Sequence, residues 1–418
     1  MLREAKIGIQ MLNSLEIKNF RSLEDFKVAK LGRVNLIVGK NNSGKSTVLE
    51  ALRIYAGNAQ RELLVNIAAS HDETYQLDST KTGYSDSSIP FEDLFTGRKF
   101  PNDDKAIAIG ESVDDDSTLH INYLIAIDDN EFNDQNAEII DIKRSSFGRS
   151  ITNSEYIALV KARGSDFVTK RDNLMLRKNK RTISISLTDD FFTNEKAISV
   201  YSSDEFSGIR SSFLHKELGI TPCSFIPTQF ISIDRLAKEW DNIVGTEHEE
   251  IVKQAMRIIL PEFENIYFVQ NNKALSSMGG SQRTAKVKLP NLPRPVPLKS
   301  LGDGMIRVLQ LALKLVSAKG GFLLIDEFEN GLHYTVQEKI WELLFKMADE
   351  LDVQVFATTH SRDCIESFTK VALDNEKTEG VLFRMGRSAK KSNQGQIIAT
   401  VFDKERLYNI TQADIEIR

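Results

Sequence analysis

The stretch IVGKNNSGKST, Ile37 to Thr47, gathers the residues best suited to chemistry in this 418-residue chain. Gly39, four residues, then Gly44, Lys45 and Ser46 satisfy the pattern G-x-x-x-x-G-K-[ST] in full. Glycines at both ends let the backbone turn tightly. The backbone of Gly39, Asn41, Asn42, Ser43, Gly44 and Thr47 can then direct N–H donors at phosphate oxygens, helped by the positive end of the helix that follows. Lys45 is placed to neutralise β- and γ-phosphate charge, and the Ser46 hydroxyl to ligate Mg²⁺. The cofactors implied are ATP and Mg²⁺.

A second group lies far along the chain, in GGFLLIDEFENGLH, Gly320 to His333. Four apolar residues, Phe322 to Ile325, end in Asp326 and Glu327. The first acid is suited to the magnesium shell, the second to orienting or deprotonating an attacking water. An apolar strand ending in two acids is an ordinary strand edge unless a phosphate loop accompanies it, and here one does. A third candidate is His360, at the end of VQVFATTHS, placed to touch a γ-phosphate or the water. A histidine after a strand is commonly structural; its position one strand past the acid pair gives it a functional reading. The fourth is the LGDGM segment, where Gly302 and Gly304 precede a helix whose N-terminus can bind an anion through backbone donors. One chain has little need for two phosphate-binding helix ends. Two chains do, if each caps the nucleotide held by the other, so the expected partner is a second copy of the chain.

The elements that must position these groups are legible around them. RVNLIV reads as a buried strand, and TVLEALRIYAG as a helix with Val48, Leu49, Leu52 and Tyr55 on one face and Gly57 as its stop. After the acids, YTVQEKIWELLFKMADEL carries Val336, Ile340, Leu343, Leu344, Met347 and Leu351 at helical spacing. The strand VQVFATT follows. Strand, helix, strand is the unit of a parallel sheet, and ligands sit at the strand ends of such sheets. LKSLGDGMIRVLQLALKLVSAKGG reads as a turn and then a helix through Leu309, Leu313 and Val316.

With 41% hydrophobic residues the chain can bury a large core, and its length suggests two or three domains. A net charge of −5 argues against a surface coated for nucleic acid, though not against a local basic stripe. No apolar run approaches the length of a membrane span, and the N-terminal residues lack a signal peptide's apolar core. The chain has two cysteines, Cys223 and Cys364, and no C-x-x-C, so a cytoplasmic home is the simplest.

Taken in order, LEIKNFRSLEDFKV, VGKNNSGKSTVLEAL, SLGDGMIRVLQLAL, LLIDEFENGLH and ATTHS resemble the ABC-type ATPases of the RecF, SMC and OLD group. NNSGKS, SLGDG and DEFENGLH are most similar to the OLD-like branch, which includes ATPase subunits of bacterial anti-phage systems. The resemblance covers residues 12–58 and 290–365 well and the middle loosely. It implies an α/β fold: an ABC-type P-loop ATPase head with a mixed sheet, plus an inserted antiparallel-sheet and helical region. It also implies a head-to-tail ATP sandwich, in which the signature helix of one protomer closes on the phosphate loop of the other. Arg21 matches the basic residue that approaches the nucleotide in these ATPases, and Gln229 is the candidate for the Q-loop glutamine near Mg²⁺. Where the family carries LSGGQ, this chain has LGDGM. Gly302 therefore stands where a serine would touch the γ-phosphate, and the contact falls to backbone N–H groups, to Ser300, or is lost. Asn42 replaces a usual glycine of the phosphate loop, and asparagine tolerates the left-handed backbone needed there.

The expected organisation is an N-terminal lobe over 1–58, an insertion over 59–225, and a helical region with a proline-rich approach over 226–290. A C-terminal lobe with signature, acid pair and histidine spans 291–375, and a hairpin and tail 376–418. TLHINYLIAI and RTISISLT alternate as antiparallel strands do. No sustained heptads announce a coiled-coil arm. From Lys161 to Arg181 eight basic residues stand against two acidic ones, which suits either a solvated face or contact with phosphates of nucleic acid. No nuclease domain is visible. Two functions follow as expectations. One is a sensor or scaffold subunit of a defence complex, holding or activating a separately encoded effector nuclease, with nucleic acid or a phage protein as trigger. The other is a RecF-like DNA-binding ATPase of repair.

Overall fold

The computed structural model describes residues 11–73, 75–76, 87–88, 90–101, 105–128, 138–145, 155–161, 171–179, 181–186, 220–271, 283–393, 395–402 and 406–407. Strands Leu15–Phe20 (β1), Leu23–Val28 (β2) and Val34–Val38 (β3) lead into helices Lys45–Ala56 (α1) and Arg61–Ser70 (α2). There follow Tyr75–Gln76 (β4), Ser87–Ser88 (β5), Ile107–Gly110 (β6), Leu119–Asp128 (β7), Glu138–Ser145 (β8), Glu155–Lys161 (β9), Arg171–Lys178 (β10) and Arg181–Ser186 (β11). Next come Cys223–Ile226 (β12), Ile233–Ile243 (α3), His248–Ile259 (α4), Asn265–Gln270 (β13), Arg283–Lys288 (β14) and Val296–Pro297 (β15). The last stretch holds Asp303–Ser317 (α5), Phe322–Ile325 (β16), Tyr334–Glu350 (α6), Gln354–Thr359 (β17), Arg362–Asp374 (α7), Gly380–Arg387 (β18) and Ile397–Phe402 (β19).

One sheet positions the candidate site. Its order is β12-β16-β17-β3-β18-β19, with parallel pairing from β12 through β18 and β19 antiparallel at the edge. Every residue of β3, β16 and β17 is buried, as expected of parallel strands covered on both faces. Side chains alternate between two cores: Leu323, Ile325, Val355 and Ala357 face helices α3 to α7, while Phe322, Leu324 and Phe356 face α1 and a second sheet. The chain is thus an α/β P-loop ATPase fold, with phosphate-loop strand β3 and acid-pair strand β16 flanking β17.

The second sheet runs β11-β10-β7-β6-β1-β2, with β8 and β9 branching from β7. It crosses the boundary drawn at residue 58, because β1 pairs with β6 in register Ile17↔Ile109. The alternating segments expected of the middle region are strands β7 and β11, and the C-terminal hairpin is β18 with β19. Between 226 and 290, where helices were expected, α3 and α4 form around Gly245 as the sequence suggests, but β13 and β14 also pair as a hairpin. Its inward residues Ile266, Ala285 and Val287 are buried, and the strands are too short for a period of two to stand out beside a helical reading.

Of the basic run 161–181, residues 162–170 and 180 lie outside the described residues. Lys178, within it, faces inward: its Nζ donates to the Tyr55 carbonyl at 2.8 Å and stands 3.6 Å from the Tyr55 ring centroid, at the C-terminal turn of α1. Burial lowers its pKa to about 7. Between there and the ordinary lysine range, near 10.5, the unfolded chain binds the extra proton, so stability rises with pH across that window. The expected rise amounts to about 4 kcal/mol in total and is absent from Lys178→Met. Denaturant midpoints of both proteins from pH 7 to 10 measure it; parallel curves would refute it.

Candidate functional site

The phosphate loop bridges β3 and α1. Gly39 has φ +155° and Gly44 φ +91°; a Cβ on Gly39 would lie 2.6 Å from the Met385 carbonyl oxygen. Asn42 takes φ +60°, the left-handed conformation foreseen for it. Gly44 caps α1, and the face bearing Val48, Leu49, Leu52 and Tyr55 is buried. The Lys45 ammonium donates to the carbonyls of Gly39 at 2.7 Å and Lys40 at 3.1 Å. Burial lowers its pKa, while the nearby charges of Asp326, Glu327 and Glu329 act in the other direction.

Ser46 meets Asp326 across the sheet: its Oγ is 3.2 Å from each carboxylate oxygen. Adjacent ligands of an octahedral magnesium ion, bonded at about 2.1 Å, stand about 3 Å apart. A hydroxyl and a carboxylate oxygen at this separation fit the ion, with its remaining positions left for phosphate and water. Two threonines hold the carboxylate in place. Thr358 Oγ1 donates to Asp326 Oδ1 at 2.7 Å, and Thr228 Oγ1 to Oδ2 at 3.4 Å.

Glu327 follows with φ +48°, a strained backbone for a residue that is not glycine. Its N–H donates to Thr358 Oγ1 at 2.9 Å, and its side chain is 36% exposed at the strand ends. His360 Nδ1 lies 3.8 Å from Glu327 Oε1 and 3.3 Å from Glu329 Oε1. Glu329 also accepts from the His360 N–H at 3.1 Å and the Thr359 hydroxyl at 2.7 Å. The ends of β16, β17 and β3 therefore bring Ser46, Asp326, Glu327 and His360 into one site.

Other expected residues sit apart from it. Gly302 caps α5 at φ +93°, ψ +163°, a conformation confined to glycine, and Ser300 is exposed just before it. A Cβ on Gly304 would stand 3.2 Å from the Gly331 carbonyl oxygen. Among the described residues, no hydrogen bond or ion pair joins these three to residues 39–47. The Arg21 guanidinium is engaged by Glu50 at 3.2 Å and Glu73 at 2.8 Å, beside α1. Gln229 is exposed on the loop after β12, next to Thr228, which makes the contact to Asp326. Sequence reasoning passed over Thr228, Thr358, Glu329 and Arg307. Only Arg307 left a signal: a charge within the mostly apolar run of α5, a signal that Lys314 shares.

Sheet order, phosphate loop and acid pair define a P-loop ATPase fold. A family model described as AAA ATPase domain matches residues 11–242, more than half the chain, and the chain belongs to that family. A second AAA domain model, whose description names the AbiEii toxin and the Type IV TA system, matches residues 255–363. The chain is similar to an ATP/GTP phosphatase of Helicobacter pylori, 24% identical over 374 residues that span 88% of this chain and 90% of that protein. A shorter likeness, 44% identical over 45 residues, joins 11% of this chain to 12% of the DNA replication and repair protein RecF of Ligilactobacillus salivarius. The SMC head domain from Thermotoga maritima aligns with 94% of this chain and 100% of that one at TM-score 0.41 and 11% identity. No helix among the described residues is long and apolar enough to cross a membrane.

Proposed function

We propose that this chain binds Mg²⁺–ATP on Gly39 to Thr47, hydrolyses it with Glu327 and His360, and uses the cycle to change its own assembly. The observation that carries the reading is the meeting of Ser46, Asp326 and Glu327 at neighbouring strand ends. Lys45 offsets phosphate charge, Ser46 and Asp326 hold the magnesium, and the exposed Gln229 loop approaches the same carboxylate. Held by Ser46 and Asp326, a magnesium ion would supply electrostatic stabilisation of phosphate charge. Glu327 takes the proton of the water, and His360 faces the γ-phosphate. Arg21 supports α1 through Glu50 in this reading.

Two glycine-capped helix starts in one chain, α1 and α5, support a head-to-tail homodimer, with Ser300, Gly302 and Gly304 closing on the partner's nucleotide. Specific activity is then expected to rise with protein concentration until dimers saturate. Full specific activity at nanomolar concentration in a strictly monomeric protein would exclude the sandwich.

The biological role proposed is a cytoplasmic sensor or scaffold subunit of a bacterial anti-phage system. It holds or activates a separately encoded effector nuclease, as the resemblance to AriA of the PARIS system suggests. The match to a model whose description names a toxin–antitoxin system supports a two-component arrangement. The trigger would be nucleic acid or a phage protein. The likeness to RecF around the phosphate loop favours a second reading, a DNA-binding ATPase of repair. Co-purification with the product of the neighbouring gene, with and without ATP, separates them. ATP-dependent capture of that product supports the first, and tight ATP-dependent DNA binding by the chain alone the second.

A further inference from the structure

We propose that Arg307 is the positioning residue of the hydrolytic site, a buried cation on the signature helix that fixes the main chain carrying Asp326 and Glu327. The inference rests on the ATPase reading above and adds to it a residue that touches neither nucleotide nor metal.

Arg307 lies one turn into α5, three residues after Gly304, and is 0% exposed. Its Nη1 donates to the Pro227 carbonyl at 3.0 Å. Its Nη2 donates to the carbonyls of Asp326 at 3.0 Å and Glu327 at 2.8 Å. These acceptors belong to the two loops that serve the magnesium position, one leading to Thr228 and the other bearing both acids. A fully buried arginine is costly unless its donors are used; here Nη1 and Nη2 are spent on backbone oxygens rather than on a carboxylate, while Nε is left without a partner among the described residues. The contact at Glu327 is the tightest of the three and falls on the residue whose φ of +48° must be held against strain. Burial lowers the guanidinium pKa to about 10, with the three nearby acids Asp326, Glu327 and Glu329 opposing the shift, so the group stays charged at neutral pH.

The planar fork explains the choice of residue. A lysine carries the same charge but only one nitrogen, which cannot span carbonyls of two loops with the same geometry. The helix that presents Gly302 and Gly304 thereby also governs where the Glu327 side chain stands.

The test uses the full chain with Arg307→Lys, and Arg307→Met as the second variant, each in the native and the Glu327→Gln background. ATP affinity is read by fluorescent-nucleotide titration, turnover by phosphate release, and folding by thermal melting. The expected result for Arg307→Lys is nucleotide affinity within threefold of native and kcat at least fivefold lower. In the Glu327→Gln background the same change is expected to lower kcat less than twofold, because a residue acting through Glu327 has nothing left to position. A kcat reduced less than fivefold would overturn the inference. So would a loss of the same size in both backgrounds, or affinity falling in step with turnover in both variants, since these mark a structural role alone. If Glu327→Gln itself hydrolyses ATP at the native rate, the ATPase assignment fails, and that result is read separately from any Arg307 variant.

Discussion

Turnover at least 100-fold below the native rate, with ATP still bound, is the expected result for Glu327→Gln. The magnitude is within the range for removing a general base, about 10² to 10⁴. The local geometry says why the variant should isolate chemistry from folding. Glu327 is held by its main chain: its N–H donates to Thr358, and its carbonyl accepts from Arg307. The side chain is 36% exposed and packs into neither core, so an isosteric amide leaves the backbone contacts in place. Only the proton acceptor is lost. Because ATP remains bound while hydrolysis stalls, the variant should also accumulate as the ATP-closed dimer in size-exclusion chromatography with light scattering. Phosphate release at the native rate would reassign the base, with Glu329 and His360, 3.3 Å apart, as the next candidates.

What the sequence disclosed was local, and what it concealed was the order of the strands. The phosphate loop, the acid pair and the histidine each read as a strand end, since an apolar run followed by glycines or acids carries its own punctuation. Nothing in one dimension says that β17 lies between β3 and β16, and that order lets Thr358 bond both Asp326 and the Glu327 N–H. Threonines are common at strand ends, so their type gives no warning. Arg307 was visible as one of two charges, with Lys314, in a mostly apolar helix, but its acceptors are backbone carbonyls of distant residues, which have no sequence signature. The same reason hid the joining of β1 to β6: a strand's partner depends on register, and alternation alone does not choose it. Arg21 shows the opposite case. A motif suggested a nucleotide contact, whereas the structure gives its guanidinium to Glu50 and Glu73.

Lys45→Ala is expected to weaken ATP binding at least 100-fold, equivalent to about 2.7 kcal/mol. The ammonium is half-buried among the loop's own carbonyls, where burial lowers its pKa and where bulk water screens it poorly. A triphosphate entering the loop supplies the anionic oxygens this cation lacks, and a charge-assisted contact in such a place is among the stronger single interactions a site can make. Alanine removes the charge and also frees the carbonyls of Gly39 and Lys40, so that phosphate oxygens meet uncompensated backbone dipoles. The sign of the pH dependence follows from the same shift. Binding favours the charged lysine, so native ATP affinity should fall as pH rises through the lowered ammonium pKa, and the alanine variant should lack that part of the fall. Equilibrium titration of a fluorescent ATP analogue against both proteins from pH 7 to 10 measures the two effects together. Affinity within threefold of native at pH 7, or an identical pH profile, would remove Lys45 from the phosphate site.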